Sequence, residues 1–142
     1  MKELQGYCFE DLKEGMTAIF GKTITESDIY TFAGVSGDTN PVHLNEEYAK
    51  STMFKGRIAH GMIGASFISA VLGTKLPGPG CIYVSQSLKF RAPVRIGDTL
   101  MARVTIKRLI ADKKFAECET VCTIGDKKVI EGEAIVMVPS RG

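Results

Sequence analysis

The sequence lacks tryptophan and carries only two histidines, His43 and His60, in 142 residues. Neither has a cysteine or carboxylate partner at a zinc-motif spacing, so no structural metal is expected. Cysteine is sparse as well. Cys8, Cys81, Cys118 and Cys122 form no Cys-x-x-Cys pair and no dense framework of the kind that staples small secreted domains. Cys118 and Cys122 would share one face of a strand but lie about 13 Å apart at ~3.3 Å per residue, beyond the reach of a disulfide. All four are expected to be small buried hydrophobes in a reducing, cytoplasmic setting. A dominant charge is missing too: 18 Lys and Arg against 16 Asp and Glu leave +2, far from the basic excess that neutralises nucleic-acid phosphates. The longest apolar stretch, Met62 to Leu72, falls short of the ~20 residues that cross a bilayer. Met1-Lys2-Glu3-Leu4-Gln5 leads into no signal-like run. Neither nucleic acid nor membrane is expected among the partners.

What is present is an ordinary globular composition, 44% hydrophobic and 24% charged, with a length that fits one domain over 1–142. Apolar residues between Gly6 and Ile24 predict one or two short strands. Thr25-Glu26-Ser27-Asp28 has the form of a capping box, and Ile29, Phe32 and Ala33 recur at helical spacing until Gly34 and Gly37. Ser36 to Pro41 is dense in turn formers and predicts an ordered loop. Asn45 caps a second short helix that closes near Ser51. From His60 to Leu72 the chain is apolar nearly all round, the mark of a core helix. Its Gly61, Gly64, Ala65, Ser66 and Ser69 permit close approach of other backbones, and Pro77-Gly78-Pro79-Gly80 stops it. Beyond Cys81 the hydrophobic period falls to two. Strands are expected over 81–90, from Thr99 with Leu100, Ala102, Val104 and Ile106 on the buried face, over 115–124 and over 129–138, joined as a meander. The fold class is therefore α+β, with helices first and hairpins after.

Two places carry side chains without an evident structural task. In Gly37-Asp38-Thr39-Asn40-Pro41-Val42-His43-Leu44 a carboxylate and an imidazole share a loop stiffened by glycine and proline. Such a pair can hold one water and take up its proton, with pKa values tuned by burial. Equally, Asp38 can cap the turn and His43 can be a satisfied loop residue. In His60-Gly61-Met62 a glycine opens the buried helix, where free amides and the positive dipole end lie. The Gly61 N–H can approach a substrate carbonyl and stabilise charge on its oxygen, or the glycine can simply start a tightly packed helix; His60 reads as a structural or supporting residue. Together these groups match addition of water to a double bond conjugated with a thioester. That reaction needs a base, a proton donor for the α-carbon and an oxyanion site. No Gly-x-Ser-x-Gly elbow supports a serine hydrolase, and no phosphate-cradling glycine pattern follows a strand.

With these motifs the sequence resembles the MaoC-type hot-dog proteins, and within them the (R)-specific enoyl-CoA hydratases that feed polyhydroxyalkanoate synthesis. The carriers are Ser36 to Leu44, Ile58-Ala59-His60-Gly61-Met62, Leu76-Pro77-Gly78-Pro79-Gly80, Ser85-Gln86-Ser87-Leu88-Lys89-Phe90, Pro93-Val94 and Gly97-Asp98. The resemblance implies a hot-dog fold, an antiparallel sheet wrapped around a long central helix, in a homodimer or higher homo-oligomer whose sheets join. It implies reversible hydration of short- or medium-chain trans-2-enoyl-CoA to (R)-3-hydroxyacyl-CoA, without a metal or organic cofactor. On that analogy Asp38 and His43 are the catalytic pair, Asp38 drawing the proton of a shared water and His43 orienting it. The Gly61 amide is the oxyanion donor, Ser69 supports the site from the central helix, and Asn40 orders the loop or the site. Leu72 and Leu76 are expected near the acyl chain. Lys55, Arg57, Lys89 and Arg91 are candidate contacts for CoA phosphates, though solvated surface charge is the simpler account of each. A hot-dog thioesterase and a non-catalytic acyl-CoA-binding module are the alternatives.

Overall fold

Capping chemistry sets the helices of the structure, a computed structural model describing residues 1–142. The Thr25 side chain accepts from the Asp28 N–H and the Asp28 carboxylate accepts from the Thr25 N–H, the capping box that opens α1 (Glu26–Ser36). Gly37 closes it at φ 78°, a left-handed conformation that glycine adopts without a steric cost. The expected loop is present over 37–40, but its continuation through His43 is a single helical turn, α2 (Pro41–Leu44). The Asn40 side chain accepts from the Val42 N–H and Pro41 fills the first turn, so the same residues nucleate a helix instead. α3 (Glu46–Lys50) is capped by Asn45 as expected. α4 (Gly61–Thr74) is the long central helix, with Ile63, Phe67, Ile68, Val71 and Leu72 in the core.

The strands β1 (Thr17–Thr23), β2 (Ile82–Gln86), β3 (Lys89–Phe90), β4 (Thr99–Ile110), β5 (Phe115–Ile124) and β6 (Lys127–Met137) form one antiparallel sheet in the order β1-β4-β5-β6-β2, with β3 also paired to β6. The hairpins β4–β5–β6 follow the predicted meander. The expected strand over 81–90 differs in two respects. It is broken into β2 and β3, and it pairs with β6 rather than with the next strand, β4, whose outer edge is taken by β1. At the break the backbones of Gly132 and Ser87 nearly touch: a Cβ on Gly132 would lie 1.8 Å from the Ser87 carbonyl oxygen.

Leu100, Ala102, Val104 and Ile106 face inward, as their alternation predicts, and join Ala116, Cys118, Cys122, Ala134, Val136 and the buried face of α4 in a core cluster of 23 residues. The sheet thus wraps the helix in the hot-dog arrangement. Gly64 lets α4 settle onto it, since a Cβ there would lie 2.5 Å from Ile130 Cδ1 and 3.1 Å from Leu100 Cδ2. Cys118 and Cys122 are sealed in this core, where burial pushes both thiols up to about 12. Cys8 and Cys81 depart from expectation in being only half-buried, one in the N-terminal segment and one just ahead of the sheet edge. No helix is long and apolar enough to cross a membrane.

Candidate active site

Three elements meet at the N-terminal end of α4. The left-handed Gly37 turns the chain out of α1, and Asp38 follows in a local hydrogen-bonded turn. Its N–H donates to Ser36 Oγ at 3.1 Å, and its Oδ1 accepts from the Asn40 N–H at 3.3 Å. Asn40 in turn caps α2, the one helical turn that carries His43 inward to 8% exposure while Asp38 stays exposed.

His43 Nδ1 lies 2.8 Å from the Ile58 carbonyl oxygen. A carbonyl only accepts, so this bond fixes the tautomer: Nδ1 carries the hydrogen and Nε2 keeps a free lone pair. Burial pushes the His43 pKa below its ordinary value; the Ile58 hydrogen bond opposes this, the nearby His60 adds to it, and Asp38 opposes it. The net result is a neutral imidazole at pH 7, able to accept a proton. His60, the residue preceding α4, is 3% exposed. Its Nε2–H donates to the Asp38 carbonyl oxygen at 2.9 Å, and its ring stacks on His43 with centroids 3.9 Å apart at 27°.

The Asp38 carboxylate and the two imidazoles each place one donor atom within 4.8 Å of the others. One water can bridge a carboxylate oxygen and a ring nitrogen within that limit, because two hydrogen bonds of ~2.8 Å meeting at a tetrahedral angle reach about 4.6 Å. The same groups do not converge on one metal ion, since stacked imidazoles hold their lone pairs in nearly parallel planes.

Gly61 is the first residue of α4, so its N–H has no intrahelical acceptor and stands at the positive end of the helix dipole. Space is tight here: a Cβ would lie 2.7 Å from two ring carbons of Phe90, so any side chain must displace that ring. His43, His60 and Gly61 line a cavity of about 520 Å³, walled by apolar residues that include Met53 and Phe54 after α3, and Phe90, Leu100 and Ile130 from the sheet. A volume of this order suits a small-molecule ligand.

Of the residues singled out in the sequence, Asp38, His43 and Gly61 come together, with Asn40 beside them as the cap of α2. Ser69 stands apart, about 12 Å along α4 from Gly61 at 1.5 Å per residue. It faces a second apolar groove of about 490 Å³ with Phe32, Ser66 and Tyr83, and Met62 borders both spaces. Leu72, near the end of α4, and Leu76, just beyond it, are both buried in the core cluster and line neither space. Arg57 is not a free surface charge: only 10% exposed, it donates from Nε to the His43 carbonyl and from Nη1 to Glu26 Oε1, both at 2.7 Å. Arg91 is engaged with Glu131. Phe54 belongs to the site unannounced by the sequence, and Ile58 and Phe90, present there only as members of family motifs, gave no sign of their roles. A residue that acts through its carbonyl, or as an apolar wall, leaves no mark on spacing or composition.

The MaoC like domain model matches residues 10–132 of the chain. The chain is 67% identical over 134 residues to the (R)-specific enoyl-CoA hydratase of Rhodospirillum rubrum, covering 94% of this chain and 93% of that one. It is 50% identical over 141 residues to the 3-hydroxybutyryl-CoA dehydratase of Methylorubrum extorquens, covering 99% and 90%. Among solved structures, the unliganded R-hydratase PhaJ1 of Pseudomonas aeruginosa is similar with a TM-score of 0.91 and 41% identity, over 97% of this chain and 89% of that one. By sequence and by fold alike, the chain belongs to the MaoC-like domain family.

Proposed function

We propose that the protein is an (R)-specific enoyl-CoA hydratase, adding water reversibly to the double bond of a trans-2-enoyl thioester of CoA. The observation that carries this is the water-sized gap between the Asp38 carboxylate and the His43 imidazole, beside an apolar cavity that the Gly61 backbone also lines. A water in that gap donates one hydrogen to His43 Nε2, which holds it, and the other to Asp38. As its oxygen adds to the β-carbon, Asp38 takes the proton and the electron pair of the double bond moves towards the thioester oxygen. The Gly61 N–H stabilises the resulting enolate, a contribution typically worth a factor of ~10² to 10³. The Asp38 carboxyl then returns the proton to the α-carbon on the same face, so the step balances with water alone. The acyl tail lies along the apolar wall of Phe54, Phe90, Leu100 and Ile130.

The whole of 1–142 acts as one such domain, since its core draws on residues from Leu12 to Val138. The four free cysteines fit a reducing cytoplasmic setting. A second copy of the chain is the partner proposed for β2. This strand ends the sheet with Ile82, Tyr83 and Val84 all exposed, an apolar edge of the kind that pairs with another strand. Pairing there would roof the groove that holds Ser69.

Consumption of crotonyl-CoA, followed as loss of enone absorbance with (R)-3-hydroxybutyryl-CoA as product, tests the assignment. In Asp38→Asn the rate should fall by ~10² to 10⁴. Absence of turnover across C4 to C12 enoyl-CoAs would overturn it, and release of free CoA thiol from a saturated acyl-CoA would favour a thioesterase.

A further inference from the structure

We infer that His60 is a positioning residue for this reaction: one imidazole holds the Asp38 main chain and stacks on His43, and so sets the gap in which the water sits. The inference rests on the hydratase assignment above.

The tethers of Asp38 are the first support. Its segment between α1 and α2 is exposed, and the bonds within it, from the Asp38 N–H to Ser36 Oγ and from the Asn40 N–H to Asp38 Oδ1, join residues two apart. Such bonds shape a turn without fixing where it sits. The bond from His60 Nε2–H to the Asp38 carbonyl spans 22 residues and ties the turn to the start of α4. Because His60 is covalently next to Gly61, a single side-chain hydrogen bond links the Asp38 main chain to the oxyanion donor.

The use made of the cap position is the second. His60 occupies the N-cap of α4 yet makes no side-chain hydrogen bond to the helix. Residues favoured at that position are those whose side chains accept from first-turn amides. Here the side chain is turned to Asp38 instead, and while the Ile63 N–H is taken by the His60 carbonyl, that of Gly61 keeps no acceptor in the helix.

The third is an unsatisfied atom. With its hydrogen committed to Nε2, the ring leaves Nδ1 as an acceptor, and Nδ1 is buried without a partner. Packing alone would be served better by an apolar side chain, since an unpaired buried acceptor weakens the fold. The ring is also held between His43 at 3.9 Å and Phe32 at 4.9 Å, centroid to centroid, so α1, α2 and α4 meet at this one side chain.

Glutamine and asparagine separate this role from bulk. The amide nitrogen of Gln reaches the place of Nε2, whereas that of Asn stops near the place of Nδ1. With crotonyl-CoA, His60→Asn and His60→Ala should lose about 10- to 100-fold in kcat with KM changed less than about threefold, as misplacement of reacting groups does. His60→Gln should restore most of the loss. In each variant His43 is the only remaining histidine, so its imidazole ¹⁵N shifts should still report the Nδ1–H tautomer. Unchanged kcat in His60→Asn and His60→Ala, or a His60→Gln enzyme no better than His60→Asn, overturns the proposal. So does loss of the His43 tautomer signal in step with kcat in all three, which would mean general disorder of the site. Absence of turnover in the unmodified enzyme, by contrast, would overturn the hydratase assignment and this proposal with it.

Discussion

Replacing His43 with asparagine separates the two things its ring does. The Asn amide nitrogen takes the place of Nδ1 and can keep the 2.8 Å bond to the Ile58 carbonyl, but nothing takes the place of Nε2. Chemistry and anchoring should therefore part company. Loss of the Nε2 acceptor removes one hand from the shared water, and misplacing a reacting group by about 1 Å costs on the order of 10² in rate. Stability should suffer less in His43→Asn than in His43→Ala. The alanine variant leaves the partly buried Ile58 carbonyl unpaired, at a cost of about 1 to 3 kcal/mol, and both variants lose the stack on His60. The assay is a pair of measurements on each protein: initial rates on crotonyl-CoA, and urea unfolding with unchanged m-value, so that the midpoint reports stability alone. Activity of His43→Asn within threefold of the unmodified enzyme would show that Nε2 takes no part. A midpoint as low as that of His43→Ala would show that the Ile58 bond does not anchor the residue.

Gly61→Ala should act on rate more than on stability. The Phe90 ring it meets at 2.7 Å is half exposed and can swing outward, costing about 1 kcal/mol, but the displaced amide and cavity wall should lower kcat/KM by up to ~10²; wild-type kinetics with a normal melting curve would argue against an oxyanion donor there. The acid limb of kcat/KM should lie below about pH 6.5, because burial resists protonation of His43 and a protonated ring accepts nothing. Linkage gives the matching stability change: below about pH 6.5 the unfolded chain binds a proton that the folded His43 refuses, so this contribution is lost as pH falls towards the folded value. A limb above pH 6.5 would contradict the depressed pKa. Val84→Lys, a charge on the exposed edge strand β2, should convert the proposed dimer to single chains in sedimentation, and an unchanged mass would refute pairing through β2.

Much of this protein was legible in local pattern. The capping box at Thr25, the apolar run from Gly61, and the alternation of Leu100, Ala102, Val104 and Ile106 each follow from interactions within a few residues, and the structure forms each where the pattern places it. The pairing of Asp38 with His43 was legible for the same reason, since one capped turn separates them. What failed locally failed for a physical cause: strand 81–90 chose β6 as its partner because β1 occupies the outer edge of β4, a fact that no window around Cys81 contains. The MaoC resemblance supplied the wrap of sheet around helix, which periodicity alone did not.

The sequence by itself determined which residues could do chemistry and that they would stand on a stiff turn and at a helix start. Only the tertiary structure decided how they act. The Ile58 carbonyl selects the tautomer of His43, His60 carries the Asp38 main chain to Gly61, and the Phe90 ring closes on the space beside that glycine. Ser69 opens on a different groove and Arg57 is spent inside the fold. Each of these is a contact between segments far apart in the chain, fixed when the sheet closes over α4, and residue spacing carries no record of it.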